Sequence, residues 1–309
     1  MATLTRPSAP PVTRSGQSRP PRVAHLWHAW SRHRPVILAY HDVVDPDRFA
    51  QQLDYLAAMM HPVRVEDVLR ASAHGAPLPR GAVLVTFDDG DVTIHEHALP
   101  LLRERGIPAV AFVVTELIGT DRPAWFQEVR ALVGGGAVHP RLGRMAPDAA
   151  VRTLKRLPDD ERRRVLDELR GAHAPVARTQ LSVEQLRELE EGGIEIGSHT
   201  HSHPCLDRCS DDTIEYELTR AHALLETWLG RAPRVFAYPN GNGDTRVDAL
   251  LARMEYAAAF LFDHRIGVFP PANMYGISRV RVNSTTALRR FRNIVSGLHP
   301  LMHHSIGRT

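Results

Sequence analysis

The chain has 309 residues, 43% of them apolar and 24% charged, which is enough to bury a substantial core and excludes a wholly disordered chain. Its 38 basic and 35 acidic side chains leave a net charge of +3, a small excess spread along the sequence, so no nucleic-acid partner is expected. No apolar run approaches the roughly 18 residues of a membrane span, and two cysteines, Cys205 and Cys209, do not make a disulfide framework.

Residues 1–33 are rich in Pro, Arg and Ser, the composition of a flexible, solvated segment. His25, His28 and His33 fall there at helical spacing around Trp27 and Trp30, and a short amphipathic lead-in helix is the reading adopted. The segment lacks the continuous apolar stretch and cleavage site of a secretory leader. A cytoplasmic location is therefore expected.

From Pro35 onward, short β-rich runs alternate with amphipathic helices. PVILAY (35–40) reads as a strand, and DRFAQQLDYLAAM (47–59) as a helix with Phe49, Leu53 and Leu56 or Ala57 on one face. AVLVTF (82–87) and AVAFVV (109–114) are strands, separated by the helix TIHEHALPLLRERG (93–106), which Gly106 closes. Between about 120 and 190 four charged helical stretches follow, joined by Gly and Pro: WFQEVRALV, APDAAVRTLKRL, DERRRVLDELRGA and SVEQLRELEEGG. They are expected to form a helical insertion lying over the strands. Strands resume at IEIGS (194–198), RVFAYP (234–239), YAAAFLF (256–262) and SRVRVN (278–283). DDTIEYELTRAHALLETWLG (211–230) is a helix started by Asp and stopped by Gly230, and FRNIVSGL (291–298) is the last helix. The alternation predicts an α/β fold, a distorted or incomplete (β/α) barrel of about seven strands, over 34–298, with a tail at 299–309. In such folds the active site forms where the C-terminal strand ends meet the loops.

Four strands run into polar residues at those ends. AVLVTF leads to Asp88-Asp89-Gly90-Asp91, IEIGS to His199-Thr200-His201-Ser202-His203, PVILAY to His41-Asp42, and RVFAYP to Asn240-Gly241. Adjacent Asp88 and Asp89 leave the strand in different directions, and two like charges so close raise one pKa or need a cation. On the dipeptide alone, a turn or helix cap is the better account of Asp-Asp-Gly. His199 and His203 are four apart, so a helical turn would bring both imidazoles to one side; with one carboxylate they make a three-ligand site with open positions. His201 then points elsewhere. A closed Cys/His zinc site around Cys205 and Cys209 fits poorly, because it leaves the Asp pair without a role. His95 and His97 lack the His-Glu-x-x-His spacing and read as surface.

TFDDG (86–90), SHTHSHP (198–204) and FAYPNG (236–241) together resemble the signature motifs of the polysaccharide deacetylases, whose shared unit is the NodB-homology domain. The resemblance covers about 35–298. It implies that Asp88 is the catalytic base and that Asp89, His199 and His203 hold one divalent metal ion, usually Zn2+, with Co2+ or Ni2+ as substitutes. It also implies that Tyr238, Pro239 and Asn240 wall the substrate groove, the Asn240 N–H serving the oxyanion. The third motif departs from the commoner pattern: Ala237 stands where an arginine often orients the base. ILAYHDV (37–43) is similar to the early Tyr-His element of a branch that includes biofilm-polysaccharide deacetylases. By that likeness His41 is the general acid, with Asp42 beside it at the substrate, and Arg279 replaces the missing arginine. The implied activity is removal of an N-acetyl group from an amino sugar or glycoconjugate, with the sugar as partner. The alternatives are hydrolysis of a non-sugar amide or imide, and non-catalytic carbohydrate binding on the same fold.

Overall fold

Alternation within the apolar strands decides the layering. The computed structural model describes residues 34–297; the His25–His33 segment and the tail from 298 lie outside the described residues. The strands are β1 (Val36–Tyr40), β2 (His61–Pro62), β3 (Ala82–Phe87), β4 (Ala109–Val113), β5 (Ile194–Ser198), β6 (Val235–Ala237), β7 (Ala258–Phe260) and β8 (Val280–Arg281). All pairings are parallel, in the order β7-β6-β5-β4-β3-β1-β8, with β2 attached to β3. Val36, Leu38 and Tyr40 of β1 share one core with Val83, Val85 and Phe87 of β3. Their neighbours Ile37 and Leu84 join Phe112, Val235, Ala237 and Phe260 in another. Burial on both faces is why these strands read as unbroken apolar runs. Parallel pairing follows from the helical crossovers between them.

The sheet curls into an incomplete barrel. Ile277 bridges to Phe260 of β7, and three residues later Val280 pairs with Leu38 of β1, so residues 277–281 cross between the two edges. Arg279 lies within that seam with no exposed surface. Inside the curl, a Cβ on Gly197 would stand 2.6 Å from the Phe112 ring, so β5 accepts no side chain at that point.

Helices supply the outer layer: α1 (Pro46–Met59), α2 (Val65–His74), α3 (Leu99–Glu104), α4 (Trp125–Gly134), α5 (Pro147–Leu154), α6 (Asp159–Ala172), α7 (Val183–Glu191), α8 (Asp211–Leu229), α9 (Thr245–Arg253) and α10 (Leu288–Val295). Helices α4–α6 close a core of their own, built from Trp125, Val129, Leu132, Val151, Leu154 and Leu166 among others. Helix α7 differs from them, because its Leu186 and Leu189 belong to the main sheet core. The predicted helix at 93–106 divides into a π turn, Ile94–Ala98, and α3. Pro100 has no N–H to continue an α ladder, and Leu99 N–H reaches back to Ile94 O instead. Helix α8 is capped by Ser210, whose Oγ accepts from Thr213 N–H, while Asp211 and Asp212 occupy the first turn. Helices α2 and α9 fall outside the sequence reading; Val65, Val68 and Leu69 carry a 3.6-residue pattern that would have located the first.

Candidate active site

The four polar strand ends meet at one end of the barrel. Asp88 follows β3 directly, and its N–H donates to Tyr40 O at 2.9 Å, tying it to the end of β1. The carboxylate is 3% exposed. Arg279 clamps it with two bonds, Nη1 to Oδ1 at 2.7 Å and Nη2 to Oδ2 at 2.8 Å. The guanidinium is itself fixed by Nε–H donating to Leu261 O at 2.8 Å and by Nη1–H donating to Thr86 Oγ1 at 3.0 Å. Burial works to raise the Asp88 pKa, but Arg279, with His199 and His41 nearby, holds it below the usual carboxylate value.

Asp89 turns the other way, from a backbone at φ 71°. Its Oδ1 lies 3.5 Å from His199 Nε2 and 3.2 Å from His203 Nε2. One donor atom from each residue falls within 4.8 Å of the others, and all three residues are buried. His199 Nδ1–H donates to Ala237 O at 2.8 Å, which turns Nε2 toward the cluster. Burial lowers the His203 pKa to about 4. Burial tends to raise Asp89, yet the two imidazoles bring it well below the carboxylate range. At neutral pH Asp89 is therefore a carboxylate and His203 a neutral imidazole. Asp89 Oδ1 is buried without a hydrogen-bond partner, a cost that a cation at the centre would remove. Donor chemistry, protonation and the orphaned oxygen all fit a divalent ion such as zinc.

The histidine loop is not the helical turn expected from its spacing. Thr200 has φ 69° and His203 has φ 61°, and Thr200 Oγ1 accepts from His203 N–H at 3.0 Å to close the loop. This irregular path brings the two rings to a centroid distance of 4.8 Å. Glu217 of α8, with no exposed surface, fastens the loop from behind. Its Oε2 accepts from His201 N–H at 2.9 Å and Ser202 N–H at 2.7 Å, and its Oε1 accepts from Ser202 Oγ–H at 2.6 Å. Trp125 of α4 donates Nε1–H to His203 O at 2.8 Å. Sequence reasoning missed both residues, because each acts on a loop remote in the chain. His201 turns away, contacting Thr115 Oγ1 at 3.0 Å.

The remaining candidates divide. His41 and Asp42 line the same cleft, of about 440 Å³, as Asp88, Asp89, His199 and His203. The His41 ring packs edge-on to Phe262 at 5.2 Å. Burial and the nearby Asp91 charge raise the Asp42 pKa. Tyr238 lines the cleft, but its hydroxyl is turned aside to Asp248. Pro239 begins the turn Pro239–Gly241 and is buried in it. Asn240, at φ 61° within that turn, lines the cleft. A Cβ on Gly241 would meet Phe262 N at 2.5 Å, so only glycine fits where the turn approaches that backbone.

Helices α4 and α5 contribute a second wall that the motifs do not announce: Phe126, Gln127, Arg130 and Lys155. Lys155 donates to Asn240 Oδ1 at 2.7 Å. Asp91, at the end of the TFDDGD stretch, pairs with Arg178 and accepts from Thr93 Oγ1–H at 2.6 Å, linking loops around the site. His95 and His97 are half-buried structural residues rather than surface ones, bonded to Glu188 at 2.5 Å and to Val43 O at 2.8 Å. Cys205 and Cys209 are buried free thiols outside the triad. A neighbouring cavity of about 380 Å³, bordered by Trp125, Leu132 and Val176, contains none of the candidate site residues.

The family model described as polysaccharide deacetylase matches residues 75–259. A 43-residue stretch is 42% identical to the poly-beta-1,6-N-acetyl-D-glucosamine N-deacetylase of Staphylococcus aureus (strain MSSA476), covering 14% of this chain and 15% of that protein. IcaB from Ammonifex degensii superposes with a TM-score of 0.60 at 23% identity, covering 86% of this chain and 97% of that one. The Streptococcus pyogenes deacetylase PplD, in complex with acetate, gives a TM-score of 0.60 at 19% identity, covering 86% and 98%. These two likenesses are of fold.

Proposed function

Because the chain belongs to the polysaccharide deacetylase family, we propose that it removes the N-acetyl group from an N-acetylated amino sugar or glycoconjugate, giving acetate and a free amine. The observation that carries this reading is the convergence of Asp89, His199 and His203 beside a carboxylate, Asp88, that Arg279 keeps ionised. The triad would hold one divalent ion, zinc by preference with cobalt or nickel as substitutes, which when bound polarises the acetamide carbonyl and acidifies a water.

The protein's own groups do the rest. Asp88 takes the proton of the attacking water; it is free to accept one because Arg279 holds it as the anion. Arg279 thereby acts as a positioning residue for the base. The Asn240 N–H, presented by a turn in left-handed conformation, donates to the oxyanion of the tetrahedral intermediate. His41 gives a proton to the departing amine. Tyr238 and Asp42 border the sugar, and Pro239 fixes the turn that carries Asn240.

The substrate we propose is small or intermediate in length, because Phe126, Arg130 and Lys155 wall the cleft on the helical side. A reducing, cytoplasmic compartment agrees with two buried thiols left unpaired. No helix among the described residues is long and apolar enough to cross a membrane.

Acetate release from N-acetylglucosamine and its oligomers, with metal stripped and restored, tests the reading. Release should require the ion and change little beyond the disaccharide. A rate that climbs steeply to the hexasaccharide would restore a polymer substrate. Hydrolysis of cyclic imides or aryl amides alone would replace the sugar, and glycan binding without acetate release would replace catalysis.

A further inference from the structure

The cationic side of the cleft is not used by the chemistry above. Lys155 is the only lysine in the chain, and it is placed beside the metal ligands rather than on the surface. Its hydrogen-bond partner is the neutral Asn240 side chain. Among the described residues no carboxylate forms an ion pair with it. Lys155 Nζ lies 5.9 Å and Arg130 Cζ 5.6 Å from the centre of the Phe126 ring, so one aromatic ring carries two cations. Arg281 enters from β8, its Cζ 6.0 Å from the Phe262 ring, and it too has no ion pair among the described residues. Arg130 has an exposed partner, Asp148, at 2.8 Å. All three cations line the cleft that contains the triad.

Among the described residues no acidic group of the cleft forms an ion pair with Lys155 or Arg281. Asp88 is matched by Arg279, and Asp89, facing the two imidazoles, acts on Lys155 only at a distance. Asp42 stands with His41 on the β1 side. A half-buried ammonium ion with no ion-pair partner gains from a ligand that supplies one; burial, with Arg130 and Arg281 nearby, lowers the Lys155 pKa although Asp89 works to raise it.

Resting on the deacetylase reading, we infer that Lys155, Arg281 and Arg130 form an anion subsite that receives a phosphoryl group carried by the amino sugar. Three convergent cations suit a group with several charged oxygens, whereas a carboxylate is satisfied by one arginine fork. Arg281 and Lys155 are specificity-determining in this scheme. Arg130, already paired, contributes least.

Calorimetric titration of the zinc-loaded chain with glucosamine and with glucosamine 1-phosphate, product-like ligands that need no turnover, tests the subsite. The phosphate should tighten binding about tenfold or more, which is about 1.4 kcal/mol. Lys155→Gln and Arg281→Gln should each remove most of that gain; the second leaves the Lys155–Asn240 bond in place. Equal affinity for the two ligands overturns the inference, as does a gain that survives both substitutions, which would put the phosphate on the ion. An equal gain from a glucuronate-linked glucosamine overturns the phosphoryl assignment. Acetate release from N-acetylglucosamine 1-phosphate, its uridine diphosphate ester and its polyprenyl diphosphate ester in detergent distinguishes the sources. Any of the three exceeding neutral N-acetylglucosamine supports the subsite, and all three falling below it overturns it. A binding gain without acetate from any sugar would leave the subsite standing and remove deacetylation.

Discussion

The two walls of the cleft are built differently. The strand-end wall carries Asp88, Asp89, His199 and His203, all buried, the first three at or beside strand ends and His203 on the loop that Glu217 and Trp125 hold. The helical wall carries Phe126, Arg130 and Lys155 on helices that close a core of their own. Reacting groups require tight positioning, which adjoining strands in fixed register provide. Selection of a substrate requires only a shape and a charge beside them. The separation predicts that damage to the first wall abolishes chemistry, whereas damage to the second changes what is bound.

The largest effect should come from His203→Ala. It removes one of three ligands from a loop end outside the barrel core, so the ion and the activity should both be lost while the circular dichroism spectrum is retained. Stoichiometric metal in that variant, measured by mass spectrometry, would dissolve the distinction at its root. Asp88→Asn should keep the ion and lose turnover by roughly 10²–10⁴-fold, the usual worth of a positioned proton acceptor. His41→Ala should lose less, and more on amides than on activated esters, whose leaving groups need little protonation. Equal losses on both substrates would take His41 out of the acid role.

The same division governs what the sequence discloses. Every strand predicted between 35 and 283 is present in the sheet; in β1, β3, β4, β6 and β7 burial on both faces writes a run of apolar residues into the chain. The triad was legible for a local reason as well: its members lie in two short motifs at strand ends. The loop geometry was not, since a spacing of four does not distinguish a helical turn from a path through positive φ at Thr200 and His203. Glu217, Trp125 and Lys155 were beyond reach. Glu217 hydrogen-bonds residues 15 and 16 positions away, Trp125 reaches 78 positions and Lys155 reaches 85, and their own neighbours look like ordinary helix. Arg279 is intermediate: the Ala237 departure said that an arginine was missing, and SRVRV offered a place for it.

Arg279→Lys sharpens the comparison inside the first wall. A point charge replaces the fork on Asp88, and the lost charge-assisted bond costs about 1.5–3 kcal/mol. The base pKa is depressed in the folded protein, so its contribution to stability is present above the unfolded carboxylate value near 3.9 and is lost as pH falls through the folded value. With the fork gone, burial dominates and the Asp88 pKa rises. The acid limb of kcat/KM should then move to higher pH, and the acid unfolding transition should move the same way, with bound metal unchanged. A pH profile identical to that of the parent would leave Arg279 a merely structural residue.

The smallest effect probes the hydrogen bond by which the helical wall reaches His203, whose ring also packs on Phe126. Trp125 Nε1–H donates to the His203 carbonyl, so this wall, although it supplies none of the proposed ligands, helps to hold the loop that carries two of them. Trp125→Phe keeps an aromatic ring in the α4–α6 core and deletes only that donor. The net loss for one hydrogen bond is about 0.5–1.5 kcal/mol, divided between folding stability and the organisation of the loop. Metal affinity, followed by competition with a chelator, should therefore weaken by no more than about tenfold, and turnover of the fully loaded protein should be unaltered. The limit matters more than the loss. His199 is anchored through Ala237 O of β6 and the loop through Glu217 of α8, both outside α4–α6, and those anchors remain in the variant. A hundredfold fall in affinity would mean that α4, rather than the anchors through Ala237 and Glu217, sets the position of His203.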